Sequence, residues 1–249
     1  MDHFYVENNF QAAVHHNSPE ITYPLPGSRY QILNKRHPLK KRYNRFIKRS
    51  FDILLSIIII ITTLSWLIPL FAIIIRLDSR GPVFFRQKRN RNNGKLFSCI
   101  KFRTMIVNDE ADRQVARIND ERVTRFGKFL RHYHFDELPQ AFNVLMGDMS
   151  VIGPRPYMVN ENRYYENLLE MYAHRHTIKP GITGLAQSFG YFGSLHDLEK
   201  VKERVDLDIH YIYEWSLGMD IRILCRTFLM ITGFRPGAGN PAGILKKEC

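Results

Sequence analysis

The chain has 249 residues, a formal net charge of +12 and 24% charged residues. These averages are typical of a basic soluble protein with a sizeable core, and they exclude collagen-like, disulfide-dense and wholly disordered classes. The averages hide one segment, because the 23 residues from Ile53 to Ile75 carry no charge. A segment of that length and composition predicts a membrane helix.

The excess positive charge lies on both sides of the apolar segment. Residues 35–49 carry a net charge of +8, and so do residues 76–103. A helix that crosses the bilayer usually has one basic flank, on its cytoplasmic side. With two basic flanks, a re-entrant segment that returns to the cytoplasmic face competes with simple spanning, and Pro69 offers a position for a bend. Basic flanks also favour binding to anionic lipid.

The segment is not predicted to be a cleaved secretory signal, because it begins near residue 50 and is too long for a signal core. Three cysteines without paired spacing support neither a disulfide framework nor a zinc site. The rest of the chain is therefore expected to lie in the cytoplasm.

Short elements follow the apolar segment. Residues 83–85 and 96–100 are rich in strand formers, and Asn92-Asn93-Gly94 between them suits a tight turn, which predicts a basic β-hairpin. Leu138 to Met146 predicts an amphipathic helix with Pro139 in its first turn. Helices are also expected in residues 106–122, 125–132, 158–173 and 195–214, and loops in residues 153–156 and 179–184.

The last apolar stretch, residues 221–234, contains Arg222 and Arg226 among Ile, Leu, Met and Phe. A broad apolar face with cations suits a helix that lies at the bilayer surface. A core helix with snorkelling arginines fits the same pattern.

The adjacent pair Asp136-Glu137 is the strongest candidate for chemistry. It has a structural interpretation, in which Asp136 is a helix N-cap and Glu137 complements the helix dipole. In the functional interpretation one carboxylate attacks phosphorus, the other holds a divalent cation, and nearby cations clamp phosphate oxygens. Those cations are Arg125, Lys128, Arg131 and Arg155. The chain has no Walker loop, no GxGxxG and no Ser-His-Asp signature.

Ordered sequence blocks across about residues 46–232 resemble the bacterial sugar transferase family of polyprenyl-phosphate hexose-1-phosphate transferases. The blocks are GPVFFRQ (81–87), GKLFSCIKFRTM (94–105), DERVTRFGKFLR (120–131), FDELPQAFNVLMGDMSVIGPRP (135–156), RHTIKPGITGLAQ (175–187) and RVDLDIHYIYEWSLGMDIRIL (204–224).

The resemblance implies an α+β protein, with a re-entrant membrane helix, a small cytosolic catalytic region that contains the β-hairpin, and interface-lying amphipathic helices. It implies that a hexose 1-phosphate passes from a UDP-sugar to polyprenyl (undecaprenyl) phosphate in a Mg²⁺-dependent ping-pong reaction that releases UMP. Such a reaction starts exopolysaccharide or O-antigen synthesis. The expected location is the bacterial inner membrane, with the catalytic region facing the cytoplasm and in contact with lipid. The sugar and any homo-oligomer are left open.

The resemblance also assigns residues. It implies that Asp136 is the nucleophile and that Glu137 is the adjacent acid linked to the metal. Five basic positions are expected to contact substrate phosphate: Lys101, Arg103, Arg131, Arg155 and Lys179. Asp208 falls on an acidic position of the last block, where substrate binding and a helix-capping or ion-pair role are equally compatible. Asp52 is expected to be structural.

These inferences divide the chain into a loosely ordered basic tail at 1–45, a re-entrant membrane helix at 46–80, a catalytic region at 81–235 and a C-terminal tail at 236–249. One departure from the family pattern concerns the helix-breaking proline, which usually follows a serine directly. Here Ser65 and Pro69 are separated, so the bend is expected about a turn later.

A second hypothesis comes from a different class of protein. The basic stretch at 35–49 suits a non-enzymatic membrane adapter or a nucleic-acid tether, which would bind duplex in a salt-sensitive way. Its position beside a membrane segment makes lipid the nearer polyanion, and no nucleic-acid partner is expected.

Overall fold

The structure is a computed structural model that describes residues 37–108, 120–192 and 197–232. Most of the N-terminal tail, the centre of the helix expected at 106–122, and the C-terminal tail lie outside these residues. The fold is α+β. Its helices and strands are α1 (Arg42–Ile59), α2 (Ser65–Asp78), β1 (Phe84–Asn90), β2 (Leu96–Phe102), α3 (Arg125–His132), α4 (Gln140–Met146), β3 (Ser150–Ile152), α5 (Val159–Leu168), β4 (Gly181–Thr183), α6 (Leu185–Ser188), α7 (Leu198–Glu214) and α8 (Leu217–Ile231).

The apolar segment forms the centre of one long helix. α1, a π-helical turn at Ile60–Leu64 and α2 follow one another without a break. Within the described residues this helix, Arg42–Asp78, is the one long and apolar enough to cross a membrane, and 17% of its most apolar window is buried. A membrane-anchor helix fits this composition, because a soluble core helix would be mostly buried.

The irregular part of this helix lies before Pro69 and not after it. The Ser65 hydroxyl donates to the Ile61 carbonyl at 2.6 Å, and the Trp66 indole N–H donates to the Thr62 carbonyl at 2.9 Å. These side chains satisfy carbonyls in the π-helical turn that regular helix bonding leaves available. The structure thus has an irregular turn at Ile60–Leu64, and the bend expected near Pro69 stays a prediction.

The hairpin is confirmed. β1 and β2 pair antiparallel, with Phe84 opposite Phe102 and Asn90 opposite Leu96. Asn93 and Gly94 have φ values of 59° and 68°, the left-handed backbone that Asn and Gly tolerate best in tight turns. The Asn-Asn-Gly signal thus defined the turn correctly.

The other predicted elements are confirmed in part. The helix at 125–132 is α3, and the helix at 138–146 begins two residues late, at Gln140. The helix at 158–173 ends at Leu168, and a 3-10 turn, Tyr172–Thr177, follows. The helix predicted at 106–122 is wrong at both ends, since residues 106–108 and 120–122 are not helical. Met105 and Val123 instead form an isolated antiparallel β-bridge.

The loop predicted at 179–184 is also wrong in part. Gly181–Thr183 is β4, a short strand that pairs parallel with β3. Gly153 and Gly181 approach so closely that a Cβ on Gly181 would lie 2.1 Å from the Gly153 nitrogen. The two glycines allow this backbone contact, which brings the loop after β3 against the KPGITG segment.

Two apolar clusters hold the elements together. The larger one includes Val144, Ile152, Tyr172, Leu207 and Tyr211, and it joins α4, β3, α7 and α8. In the smaller one, Phe71 of α2 makes edge contacts with Phe102 and Phe126, with ring centroids 5.4 and 5.2 Å apart. The end of the anchor helix is therefore part of the core beneath β2 and α3.

Candidate active site

The paired carboxylates of the FDELP segment lie on a short turn between two helices. α3 ends at His132, and the 3-10 turn Phe135–Glu137 precedes α4. His134 begins this turn with φ 58°, a left-handed conformation that costs a non-glycine residue roughly 1–2 kcal/mol. The N-cap of α4 is Pro139, so the interpretation of Asp136 as a helix N-cap is wrong.

Glu137 is buried and held by two cations. Its Oε1 accepts from Lys101 Nζ of β2 at 2.7 Å and from Arg155 Nη2 at 2.8 Å, and its Oε2 accepts from Arg155 Nη1 at 3.2 Å. Burial alone would raise the pKa of Glu137, but Arg155 and Lys101 together hold this pKa well below its usual range. Glu137 is therefore ionised at neutral pH and fixed in orientation.

Asp136 differs from Glu137 in its burial, its partners and its pKa. Its side chain is half-buried, and its carboxylate makes no hydrogen bond or ion pair within the described part of the chain. Burial and the charge of Glu137 raise its pKa, while Lys101, Arg131 and Arg155 oppose the rise. Asp136 is thus an uncommitted carboxylate beside a fixed one, and the charges of Lys101, Arg131 and Arg155 act on it.

Arg131 reaches this site from the last turn of α3. Its Nε donates to the Thr104 hydroxyl at 2.8 Å, and this hydrogen bond fixes the orientation of the guanidinium. The negative charge of Asp136 acts on Arg131 and favours its charged form against burial. The structure therefore brings together five predicted site residues, Lys101, Arg131, Asp136, Glu137 and Arg155.

Asp208 lies behind the site. Its Oδ2 accepts from Arg175 Nε at 2.8 Å, and Arg175 Nη2 donates to the Arg155 carbonyl at 2.9 Å. Both side chains of this ion pair are at most 3% exposed. Of the two interpretations of Asp208, the structure favours the ion pair over direct substrate binding, because the carboxylate is enclosed and committed to Arg175.

Arg175 was not singled out by the sequence, although it begins one of the family blocks. Its guanidinium lies over the rings of Tyr157 and Tyr172, at 4.7 and 4.8 Å from their centroids. The fully buried Arg204 donates to the Tyr157 hydroxyl and the Tyr191 carbonyl. No local pattern distinguishes such arginines from surface ones, since only the packing reveals their burial.

Two residues that were predicted to contact substrate phosphate, Arg103 and Lys179, lie apart from the carboxylate pair. The Arg103 guanidinium donates to the carbonyls of Ser79 at 2.6 Å, of Ile75 at 3.3 Å and of Arg80. It therefore caps the C-terminal end of α2, and it is not among the charges that act on Asp136 or Glu137. Lys179 lies beside Gly147, at the opposite end of α4 from Glu137.

The donor set bears on a divalent cation. No group of three or more His, Cys, Asp or Glu side chains suited to a metal occurs among the residues described. Mg²⁺, however, is often bound through one or two carboxylates together with substrate phosphates and water. Asp136 and Glu137 fit that mode, because Asp136 is uncommitted and Glu137 Oε2 accepts only the longer bond from Arg155.

Fold and site together combine a helix long and apolar enough to cross a membrane with a carboxylate and cation centre suited to phosphoryl chemistry. The sequence model of the family described as "Bacterial sugar transferase" matches residues 43–233. The chain belongs to the bacterial sugar transferase family.

Several known proteins with similar sequences are undecaprenyl-phosphate sugar transferases by name. A UDP-glucose:undecaprenyl-phosphate glucose-1-phosphate transferase of Escherichia coli K12 is 46% identical over 186 residues, which cover 74% of this chain and 40% of that protein. A Caulobacter vibrioides protein of the same name is 38% identical over 203 residues, covering 81% of this chain and 76% of that protein.

A third relative, an undecaprenyl-phosphate galactose phosphotransferase of Salmonella typhimurium, is 38% identical over 212 residues, covering 79% of this chain and 42% of that protein. The chain spans about two fifths of the length of several curated relatives that it matches. The names of these relatives differ in the sugar, so family membership alone does not define it.

Proposed function

We propose that the chain transfers a hexose 1-phosphate from a UDP-sugar to undecaprenyl phosphate, releases UMP and starts exopolysaccharide or O-antigen synthesis. The observation that carries the proposal is the pair of unlike carboxylates: Asp136 is uncommitted, and Glu137 is fixed by Lys101 and Arg155. The names of the relatives supply the substrate class.

The reaction proceeds in two displacements at one phosphorus atom. An Asp136 carboxylate oxygen attacks the sugar-bearing phosphorus of the UDP-sugar, the new O–P bond forms, and the bond to the bridging oxygen breaks, so UMP leaves with that oxygen. An oxygen of undecaprenyl phosphate then attacks the same phosphorus. The Asp136 carboxylate is released, and the product is an undecaprenyl diphosphate sugar.

The cations around Asp136 have a defined task in this scheme. Charge builds up on the phosphoryl oxygens and on the leaving UMP, and pre-oriented donors stabilise it without reorganising. Arg155 and Lys101 are oriented by Glu137, and Arg131 is oriented by Thr104. Burial strengthens each of these interactions because the local dielectric is low.

Mg²⁺ belongs to the proposal as a cofactor. Glu137 would hold it, with Asp136 adjacent, and the ion would neutralise charge on the diphosphate. The remaining donors of Lys101 and Arg155 would bind phosphate oxygens directly.

We also propose that the anchor helix is re-entrant. Both of its ends contact the same region: Lys48 of α1 pairs with Asp220 of α8 at 2.9 Å, and Phe71 of α2 packs on Phe102 of β2. A straight helix of 37 residues would be about 55 Å long, well beyond the hydrocarbon core of about 30 Å. A π-turn inside a helix is a recognised site of a bend.

The exposed apolar side chains support a location at the membrane. The central part of the anchor helix exposes Leu54, Ile57, Ile58, Ile61, Trp66, Leu70 and Ile73, and α8 exposes Ile221, Phe228, Leu229 and Ile231. On this basis α8 lies in the interface, with the exposed Arg222 toward the headgroups, whereas the Arg226 guanidinium lies over the ring of Phe189 at 4.1 Å from its centroid. The two basic flanks support a catalytic region on the cytoplasmic face of the bacterial inner membrane, because cytoplasmic flanks are enriched in Lys and Arg.

The test measures UMP release from a panel of UDP-sugars, with undecaprenyl phosphate and Mg²⁺, using the full chain extracted from membranes. We expect Asp136→Asn to abolish release for every sugar. Asp197→Asn is the matched control, because Asp197 is the exposed N-cap of α7 and Asn caps equally well. Undiminished release by Asp136→Asn would show that the nucleophile is wrong.

The ping-pong step has its own readout. Without undecaprenyl phosphate, the chain should release about one UMP per molecule and gain the mass of the sugar phosphate. Release that requires the lipid acceptor from the first turnover, with no mass gain, would indicate direct transfer instead. The panel begins with UDP-glucose and UDP-galactose, the sugars in the names of the relatives, and continues with UDP-N-acetylhexosamines.

A further inference from the structure

A second basic cluster lies at the end of α4 remote from Asp136 and Glu137. It consists of Arg49 from α1, Arg91 from the β1–β2 turn and Lys179 from the segment before β4, gathered around Gly147 and Asp148. A Cβ on Gly147 would lie 3.6 Å from Lys179 Nζ and 3.7 Å from Arg49 Nη2. Four segments of the chain that are distant in sequence therefore converge here.

Two of the three cations have protein partners. Arg49 donates to the carbonyls of Val144 at 2.6 Å and of Leu145 at 2.9 Å, in the last turn of α4. Arg91 Nη1 pairs with Asp148 Oδ1 at 2.7 Å. A guanidinium has five N–H donors, so each arginine keeps donors that these contacts do not use.

Lys179 is the exception. Its ammonium group makes no hydrogen bond or ion pair with any residue described, although its side chain is half-buried. Burial lowers its pKa, and so do Arg49 and Arg91, while Asp52 and Asp148 only partly oppose them. Three cations thus face two carboxylates, the buried Asp52 and the partly exposed Asp148, and an anion would stabilise this excess of positive charge.

Gly147 keeps the space between these cations open. Its φ of 87° is the left-handed conformation that ends many helices and that other residues adopt only with strain. A larger side chain at this position would stand directly between Lys179 and Arg49. The backbone at Gly147, which ends α4, therefore also lies against the cationic cluster.

The cluster is separate from the catalytic carboxylates. α4 has seven residues and so separates Glu137 from Gly147 by roughly 10 Å along its axis. The charges that act on Asp136 come from Lys101, Glu137, Arg131 and Arg155, and those that act on Lys179 come from other residues. A ligand bound at Lys179 would therefore not occupy the position of the sugar-bearing phosphorus.

Neighbouring side chains indicate where the anion comes from. Met146, which precedes Gly147, is 61% exposed, and Phe46, one turn before Arg49 on α1, is 71% exposed. α1 then continues into the apolar helix. Cations rimmed by exposed apolar side chains suit the boundary between headgroups and acyl chains.

We propose that Arg49, Arg91 and Lys179 form a binding site for a phosphate group, separate from Asp136 and Glu137, and that a membrane lipid carries this phosphate. The arginines supply directed donors, and Lys179 supplies a point charge that makes no ion pair with any residue described. Free phosphate is the other source of the same chemistry, and the test distinguishes the two.

The test counts phosphatidylglycerol molecules retained by the full chain in detergent micelles, using native mass spectrometry. We expect Lys179→Gln to weaken the tightest binding event about tenfold, the usual scale for one charge-assisted contact. Lys179→Arg should retain binding. Lys95→Gln is the matched control, since Lys95 is an exposed lysine of the same hairpin turn as Arg91.

Inorganic phosphate provides the second arm. Retention of phosphatidylglycerol that depends on Lys179 and resists added phosphate would support the lipid source. Displacement by phosphate, with the same dependence on Lys179, would support the phosphate site and assign it to a free anion. Equal behaviour of Lys179→Gln and Lys95→Gln toward both probes, with Lys179→Gln as thermally stable as the unsubstituted chain, would overturn the proposal.

A loss of folding in Lys179→Gln would not leave the question open. Lys179→Arg keeps the charge, and Arg91→Gln removes a different member of the cluster, so phosphate or lipid binding must fall in Arg91→Gln and persist in Lys179→Arg. The opposite pattern would also overturn the site. The readout is binding and not sugar transfer, so the result is independent of whether Asp136 is the nucleophile.

Discussion

Arg155 and Glu137 form a two-pronged ion pair, with Nη2–Oε1 and Nη1–Oε2 distances of 2.8 and 3.2 Å. This pair lies directly beside Asp136 and gives the two adjacent carboxylates different properties. The pKa of Glu137 is held low, whereas burial raises the pKa of Asp136. One carboxylate therefore orients cations, and the other remains available to react.

The two-pronged geometry of the Arg155 guanidinium should matter more for activity than its positive charge. Arg155→Lys keeps a cation but replaces the planar fork with a single point, so Glu137 loses a directed partner. We expect kcat/KM for UMP release to fall about 100-fold, the scale of losing one oriented donor to a developing charge. Arg163→Lys, at an exposed position of α5, is the control and should have no effect. Equal kinetics for the two variants would contradict this.

The acidic limb of the pH profile should report Asp136. The pKa of Asp136 is raised, so kcat/KM should decline as the pH falls through a value above the ordinary aspartate pKa, because the protonated acid is not a nucleophile. Lys101 lowers this pKa, and its removal must raise it further.

Lys101→Met is therefore expected to move the acidic limb to higher pH, in addition to lowering the rate. The measurement is kcat/KM for UMP release as a function of pH. Lys200→Met is a suitable control, because Lys200 is a surface residue with 62% of its side chain exposed. A limb that stays in place, or moves to lower pH, would argue against Asp136 as the titrating group.

The buried pair behind the site should contribute to both stability and orientation. Asp208→Asn leaves Arg175 as an unpaired buried charge, and we expect a loss of about 3 kcal/mol in the free energy of unfolding. Thermal unfolding in detergent measures this as a lowered Tm. Lys200→Ala disrupts an exposed pair at 3.9 Å and should change stability by less than about 1 kcal/mol.

A double variant separates the two effects of this pair. Arg175→Met with Asp208→Leu removes both charges, so it should recover much of the stability lost in Asp208→Asn. It also removes the donor to the Arg155 carbonyl, so kcat should be lower than in the unsubstituted chain while KM changes little. A kcat equal to that of the unsubstituted chain would show that Arg175 and Asp208 contribute to stability alone.

The topology of the anchor helix predicts the labelling of its flanks. If the helix is re-entrant, single cysteines at positions 40 and 90, in a cysteine-free chain, lie on the same side of the membrane. An impermeant maleimide should label both only after cells are permeabilised. Labelling of one position from outside intact cells would show that the helix spans the bilayer.

Local pattern in the sequence was sufficient for several features. The uncharged segment Ile53 to Ile75 defined the anchor helix, and Asn92-Asn93-Gly94 defined the hairpin turn. Asp136-Glu137 stood out as an adjacent acidic pair among basic residues, and the order of sequence blocks indicated the family. Each of these signals depends on neighbours in the chain or on ordered motifs, which are readable without knowing the packing.

The tertiary structure alone decided which charges meet. Glu137 is held by Lys101, 36 residues earlier, and by Arg155, 18 residues later, and no periodicity specifies such pairs. The same holds for Lys179, which lies near Arg49 and Arg91 and not near the carboxylates of Asp136 and Glu137. A charge acts through its distance and burial, and both depend on how separate elements pack against each other. The sequence therefore determined the long apolar helix and the adjacent carboxylate pair, whereas the packing determined which cations lie beside that pair and which form a second cluster.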